Sequence, residues 1–322
     1  MLRIVVLICL IVVVVTLPVD CQVIGNNELC QVESLPQSVM DSIGNQRWLF
    51  THASVGGNMI EGMKSLHSYN PSRYKLAVAS TGFDSNNNCA VFPSSPTLPG
   101  TVVECDRGNP GWEQKYTIFE NSVCNAGWHD NAVDVCMDKL CFIDNSADAN
   151  TYISKMSALE SRFPNTRFVY TTIPITTSTD NENIQRNQYN QAVRAYCSAN
   201  GRLLFDIADM ESHDPNGTES TFSAAGSNCQ SMYSGYSDDG GHLNQSGQQH
   251  IAMGWYAVAA SIASNGTANI PNTGPITTSS PAAASSSTGT KLAIGGSIFL
   301  ITALAGLVIV LRKANPNRRI IK

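Results

Sequence analysis

Between Arg47 and Ser264, short apolar runs alternate with segments of helical period, and this alternation constrains the fold more than any other feature of the chain. Arg47–Thr51 reads as a first strand. Asn58–Ser68 follows as a helix with Met59, Ile60, Met63 and Leu66 on one face, and Leu76–Ala79 reads as a second strand. An irregular insertion rich in Pro, Asn and Cys is expected from 82 to 111. Beyond it the pattern predicts a helix over 112–122, a long apolar strand over 132–143 and a helix over 150–163, which Pro164 stops. A strand over 167–173 ends at Pro174. Asp180 is placed to N-cap a helix over 181–198 that gives way at Asn200-Gly201, and Leu203–Ile207 reads as a fifth strand. A closing helix over 246–264 spaces Ile251, Trp255, Val258 and Ile262 for a buried face. Strands separated by helices pair in parallel, which predicts a flavodoxin-like three-layer α/β/α sandwich around a central parallel sheet. In such sheets the chemistry lies beyond the carboxyl ends of the strands.

The two ends of the chain have another character. Met1, Leu2 and Arg3 precede an apolar run from Ile4 to Leu17, the pattern of a signal peptide, and cleavage is expected after Cys21. Leu292–Leu311 is uncharged and 20 residues long, enough for one helical span. Arg312, Lys313, Arg318, Arg319 and Lys322 follow it, and the positive-inside bias places them in the cytosol. Residues 266–290 are Thr, Ser, Pro, Ala and Gly, a composition that buries no core and suits an extended stalk. The expected order is a signal peptide (1–21), an extracytosolic domain (22–265), a stalk (266–290), a transmembrane helix (291–311) and a basic tail (312–322). This describes a single-pass type I membrane protein.

The domain holds 13 of the 20 Lys and Arg residues and 24 of the 25 Asp and Glu residues, a formal charge of −11. A surface this acidic is a poor partner for nucleic acid. Eight cysteines remain after the signal: Cys30, Cys89, Cys105, Cys124, Cys136, Cys141, Cys197 and Cys229. An even number outside the cytosol fits disulfides, with Cys136 and Cys141 as candidates for buried free thiols. There is no CxxC pair, and no zinc site or other metal is expected. Sequons at Asn216, Asn244 and Asn265 fit a glycosylated exterior.

Three predicted strand ends carry reactive side chains. The first is His52-Ala53-Ser54-Val55-Gly56-Gly57-Asn58, where Ser54 meets the free N–H groups of a helix start. A serine there suits a nucleophile, because its own N–H can help hold an oxyanion. Taken alone, a plain helix cap explains it better. The second is Asp144-Asn145, with Ser146 and Asp148, which in isolation reads as turn chemistry. The third is Asp239-Gly240-Gly241-His242, just before the closing helix, where the carboxylate can orient the imidazole. Their convergence on one sheet edge favours a site. His213 and Asp214, near Asp209 and Glu211, read better as a solvated loop than as a metal or acid–base cluster. His129 and Asp130 fall at the opposite edge.

The Asp239-Gly240-Gly241-His242 block, its polar spacer, Gly247 and the apolar helix after them resemble the last block of the SGNH hydrolases, the GDSL-type esterases. The resemblance implies a triad of Ser54, His242 and Asp239. It also implies an oxyanion hole built from Ser54, a loop glycine, for which Gly111 is the choice, and an asparagine, Asn145, with Asp144 as its rival position. The first block departs from Gly-Asp-Ser, and the third presents its Asn in a shifted frame. The resulting expectation is a membrane-anchored serine esterase, without cofactor, acting on a small-molecule or glycan ester; transfer to a sugar hydroxyl is a variant of it. The alternative is an inactive recognition ectodomain on the same scaffold.

Overall fold

The computed structural model describes residues 22–83, 89, 98–125, 133–224 and 226–264. The expected signal peptide, stalk, transmembrane helix and tail lie outside the described residues, as do His129, Asp130 and Asn265. Among the described residues no helix is long and apolar enough to cross a membrane.

Nine strands and eight helices are described, beginning with β1 (Val23–Ile24), α1 (Asn26–Leu29), α2 (Gln37–Ile43), β2 (Arg47–His52), α3 (Val55–Tyr69) and β3 (Ala77–Thr81). They continue with β4 (Thr101–Asp106), α4 (Trp112–Asn125), β5 (Val135–Asp138), α5 (Ala149–Arg162), β6 (Arg167–Thr171) and α6 (Asn181–Asn200). The last are β7 (Leu204–Phe205), α7 (Ile207–Ser212), β8 (Thr221–Ala224), β9 (Ser227–Gln230) and α8 (Gln245–Ala263). Seven strands form one parallel sheet in the order β1-β7-β6-β5-β2-β4-β3, and β8 and β9 make a separate antiparallel hairpin.

Period-two alternation along the strands builds two cores. Trp48, Phe50, Val102, Met137, Val169 and Phe205 pack with α3 and α8 on one face. Leu49, Val103, Cys136, Phe168 and Tyr170 pack with α4, α5 and α6 on the other. This is the three-layer α/β/α sandwich predicted from the alternation. The close approach of α3 to α8 depends on Gly62, where a Cβ would stand 2.1 Å from the Gln248 carbonyl oxygen.

Four local expectations change. The stretch expected to be wholly irregular contains β4, which sits between β2 and β3 and pairs with both; Pro and Asn on its flanks hid a six-residue run. The strand expected over 132–143 is only Val135–Asp138, because the chain leaves the ladder at Lys139. Cys141 therefore lies past the strand. The segment before Arg47 adds an edge strand, β1, paired with β7. Cys89 and Cys105 form a disulfide, whereas Cys136, Cys141 and Cys229 are buried free thiols and Cys30 is an exposed one. The helix over 181–200 is N-capped by Asp180, whose carboxylate accepts from the Asn183 N–H, and it ends on Gly201 at φ +61°.

Candidate active site

Ser54 lies on the turn from the end of β2 into α3, with φ +55° and ψ −114°. It is the one non-glycine residue at positive φ among the described residues. Such a conformation costs about 1–3 kcal/mol and persists only where its surroundings impose it. Here the Gly57 and Gly56 N–H groups donate to the Ser54 and Ala53 carbonyls, at 2.7 and 3.1 Å. The turn also lies tightly on His52: a Cβ on Gly56 would fall 2.4 Å from the His52 Cβ. Ser54 occupies the N-cap position of α3, but its hydroxyl makes no capping bond. The oxygen faces elsewhere, and the capping role expected of Ser54 in isolation is not the one it takes.

The hydroxyl lies 2.6 Å from His242 Nε2. His242 Nδ1 lies 2.7 Å from Asp239 Oδ2. A carboxylate is only an acceptor, so Nδ1 carries the proton and Nε2 is left to accept from the serine O–H. The Asp239 carboxyl is held well below the usual carboxylate range by the backbone N–H groups of His242 and Gly241, and then by the imidazole. Gly240 has φ +89°, and its carbonyl accepts from the Thr177 N–H at 2.9 Å. Leu243 N–H donates to Asn58 Oδ1, which ties the loop to the first turns of α3. Asn244 then N-caps α8, accepting from the Ser246 and Gly247 N–H groups. The Phe142 ring lies 5.2 Å from the imidazole at a steep angle. The His242 and Asp239 side chains are 47% and 58% exposed, so the site is open to water and to a large substrate.

The two further oxyanion donors expected from the sequence do not join this group. Asn145 donates its amide to Gln185 Oε1 at 2.6 Å. Its rival Asp144 is buried, 2.5 Å from Lys115 Nζ, and accepts from the Cys141 N–H; a carboxylate so bound donates nothing to an oxyanion. Gly111 is exposed and opens α4, its carbonyl accepting from Gln114 and Lys115. Among the described residues no hydrogen bond links Gly111 to Ser54 or His242. The shift in frame explains the miss, because the chain turns away from the sheet after Asp138 and carries Asn145 outward.

Sequence reasoning missed the floor of the site. Lys139 Nζ lies 3.3 Å and Cys141 Sγ 3.1 Å from the Ala53 carbonyl oxygen, and both side chains are fully buried. Burial lowers the affinity of Lys139 for its proton. Arg107 and Asp138 form a buried pair at 2.9 Å, and His52 Nε2 meets Glu104 at 2.8 Å. Burial shifts His52 toward its neutral form despite that partner. The available signal was a lysine inside a run otherwise destined for the sheet interior.

Beside His242 a cleft of about 310 Å³ is lined by Phe142, Thr177, Ser178, Glu182 and Arg186, with Asp239 at its edge. Away from it, Asp214 closes a turn by accepting from the Asn216 and Thr218 N–H groups, in the loop expected there, with Asn216 exposed. Asp209, His213 and Glu219 bring ligand-type atoms within 4.8 Å of one another. The Gln230 amide already donates to both carboxylates.

No family model matches this chain, and no curated protein does. Solved structures with a similar course include a Bacteroides fragilis NCTC 9343 protein assigned as an acylhydrolase. It shares 10% identity over 68% of this chain and 88% of that one, with a TM-score of 0.44. Another is a GDSL-like lipase from Bacteroides thetaiotaomicron VPI-5482, at 10% identity over 73% and 95%, with a TM-score of 0.41. At these values the likeness concerns the course of the chain alone. The fold itself is a three-layer α/β/α sandwich around a seven-stranded parallel sheet.

Proposed function

We propose that this protein is a serine ester hydrolase acting through an acyl-enzyme. The supporting observation is the linked chain from Ser54 Oγ through the His242 imidazole to the Asp239 carboxylate, with bonds of 2.6 and 2.7 Å. Ser54 Oγ attacks the ester carbonyl while its proton passes to His242 Nε2. The imidazolium is stabilised by Asp239 and then gives that proton to the departing alkoxide. Water repeats the sequence on the acyl-serine and releases the acid. The Ser54 N–H, at the start of α3, serves as an oxyanion donor.

The cleft beside His242 supports a polar alcohol portion. Thr177, Ser178 and Glu182 line it with groups that can hydrogen-bond to hydroxyls, and Phe142 adds an apolar ring against which a sugar could rest. An acetylated glycan meets this description. The apolar run 292–311 and the basic residues after it support anchoring with this domain outside the cytosol. Asn244 uses its side-chain amide on Gly235 and Asp238, which argues for an unglycosylated sequon there.

The test is fluorophosphonate labelling of the full-length chain beside Ser54→Ala and His242→Ala. Labelling of the parent that vanishes in both variants is the expected result; a folded parent that resists the probe overturns the reading. One observation favours a second reading, a recognition domain without activity: the asparagine expected to complete the oxyanion hole is spent on Gln185. That reading predicts no labelling at all.

A further inference from the structure

The Ala53 carbonyl is unusually occupied. It accepts from the Gly56 N–H at 3.1 Å, faces Lys139 Nζ at 3.3 Å and faces Cys141 Sγ at 3.1 Å. Lys139 and Cys141 are both 0% exposed. Among the described residues no carboxylate lies within ion-pair distance of Lys139, whose other close neighbour is Cys141 Sγ at 3.8 Å. A buried ammonium so poorly paired weakens the fold, and a lysine at such a position calls for another explanation.

The peptide group supplies one. The Ala53 carbonyl and the Ser54 N–H belong to the same amide, so an amine N–H and a thiol S–H donated to the oxygen make the N–H at the other end more acidic and a stronger donor. We propose that Lys139 and Cys141 are positioning residues for ester hydrolysis: they polarise the 53–54 peptide so that the Ser54 N–H binds the developing oxyanion. This rests on the reading of Ser54 as a nucleophile. It also accounts for an oxyanion hole that lacks the side chain of Asn145, because the donor at the strained turn is strengthened from behind. The Lys139 N–H reaches that carbonyl from a region from which water is excluded, where a hydrogen bond polarises its acceptor more than it does in water.

The experiment is steady-state hydrolysis of a soluble acetyl ester by the full-length chain, with a boronate as a tetrahedral anionic analogue, for Lys139→Met, Cys141→Ala and Cys141→Ser. Lys139→Met is expected to lower kcat roughly tenfold and to weaken boronate binding in the same proportion, with KM within about twofold of the parent. Its thermal midpoint should stay within about 4 °C of the parent's, which separates a catalytic loss from misfolding. Cys141→Ala is expected to lower kcat roughly threefold, and Cys141→Ser, which restores a donor, to recover it. Should Lys139→Met fail to fold, the cysteine pair decides. Parental kcat in Lys139→Met, an equal loss in KM, or identical behaviour of the two cysteine variants overturns the proposal while the esterase reading stands. A parent that neither labels with fluorophosphonate nor turns over overturns the esterase reading, and this proposal with it.

Discussion

Ser54 and His242, 188 residues apart in the chain, meet at 2.6 Å because α8 packs on the sheet that contains β2 and the loop before α8 is tied to α3 through Asn58. The serine pays for that meeting in backbone strain, and the balance between strain and chemistry can be measured.

Ser54→Gly should relieve the positive φ and stabilise the domain by about 1 kcal/mol, because glycine occupies that region without the Cβ clash. For a domain of this size the shift corresponds to an increase of about 2–4 °C in Tm by calorimetry. Fluorophosphonate labelling should be lost at the same time. A variant less stable than the parent would show that the turn is unstrained.

Asn145→Ala should leave kcat within about threefold of the parent, whereas removal of a side-chain oxyanion donor lowers it by about 10² or more. The amide is bonded to Gln185, away from the serine. Initial-rate kinetics on any ester the protein accepts distinguishes the two cases, and a hundredfold loss would restore Asn145 to the oxyanion hole.

Gly62→Ala should destabilise the domain by about 1–3 kcal/mol, since the added Cβ would meet the Gln248 backbone rather than a side chain that could move. Pushing α8 from α3 also disturbs the Asn58–Leu243 bond that positions the His242 loop. Urea unfolding should show the loss of stability, and catalysis should weaken with it.

His250 packs against Tyr236, with ring centroids 4.7 Å apart, and its Nε2 lies 3.1 Å from the Met210 carbonyl. Burial pushes its pKa down to about 4. The unfolded chain binds this proton near pH 6.5, so the stabilisation is complete above that value and is lost as the pH falls toward about 4. His250→Gln, which keeps a donor for Met210, should flatten the pH dependence of Tm across that window. An unchanged slope would place the acid-sensitive group elsewhere.

The layered fold was legible because strand and helix periods are local properties. Ile251 and Trp255 on α8, or Trp48 and Phe50 on β2, declare their buried faces within a few residues of one another. The Asp239–His242 pairing was legible for the same reason, being a contact across three residues in a glycine-rich loop. β4 was not, since a six-residue run between Pro- and Cys-rich flanks carries too little pattern until β2 and β3 close on either side of it.

The sequence by itself determined the parallel α/β architecture, the acidic exterior, the capping of α6 by Asp180 and three side chains suited to acyl transfer. Only the tertiary structure decided that Ser54 forgoes its capping bond for His242, that Asn145 turns to Gln185, and that Lys139 and Cys141 stand behind the 53–54 peptide. The physical reason is range. Periodicity and capping depend on neighbours within one or two turns, whereas the direction of a side chain at a strand end depends on where the next strand leaves the sheet. At Asp138 β5 leaves it earlier than its apolar pattern implies.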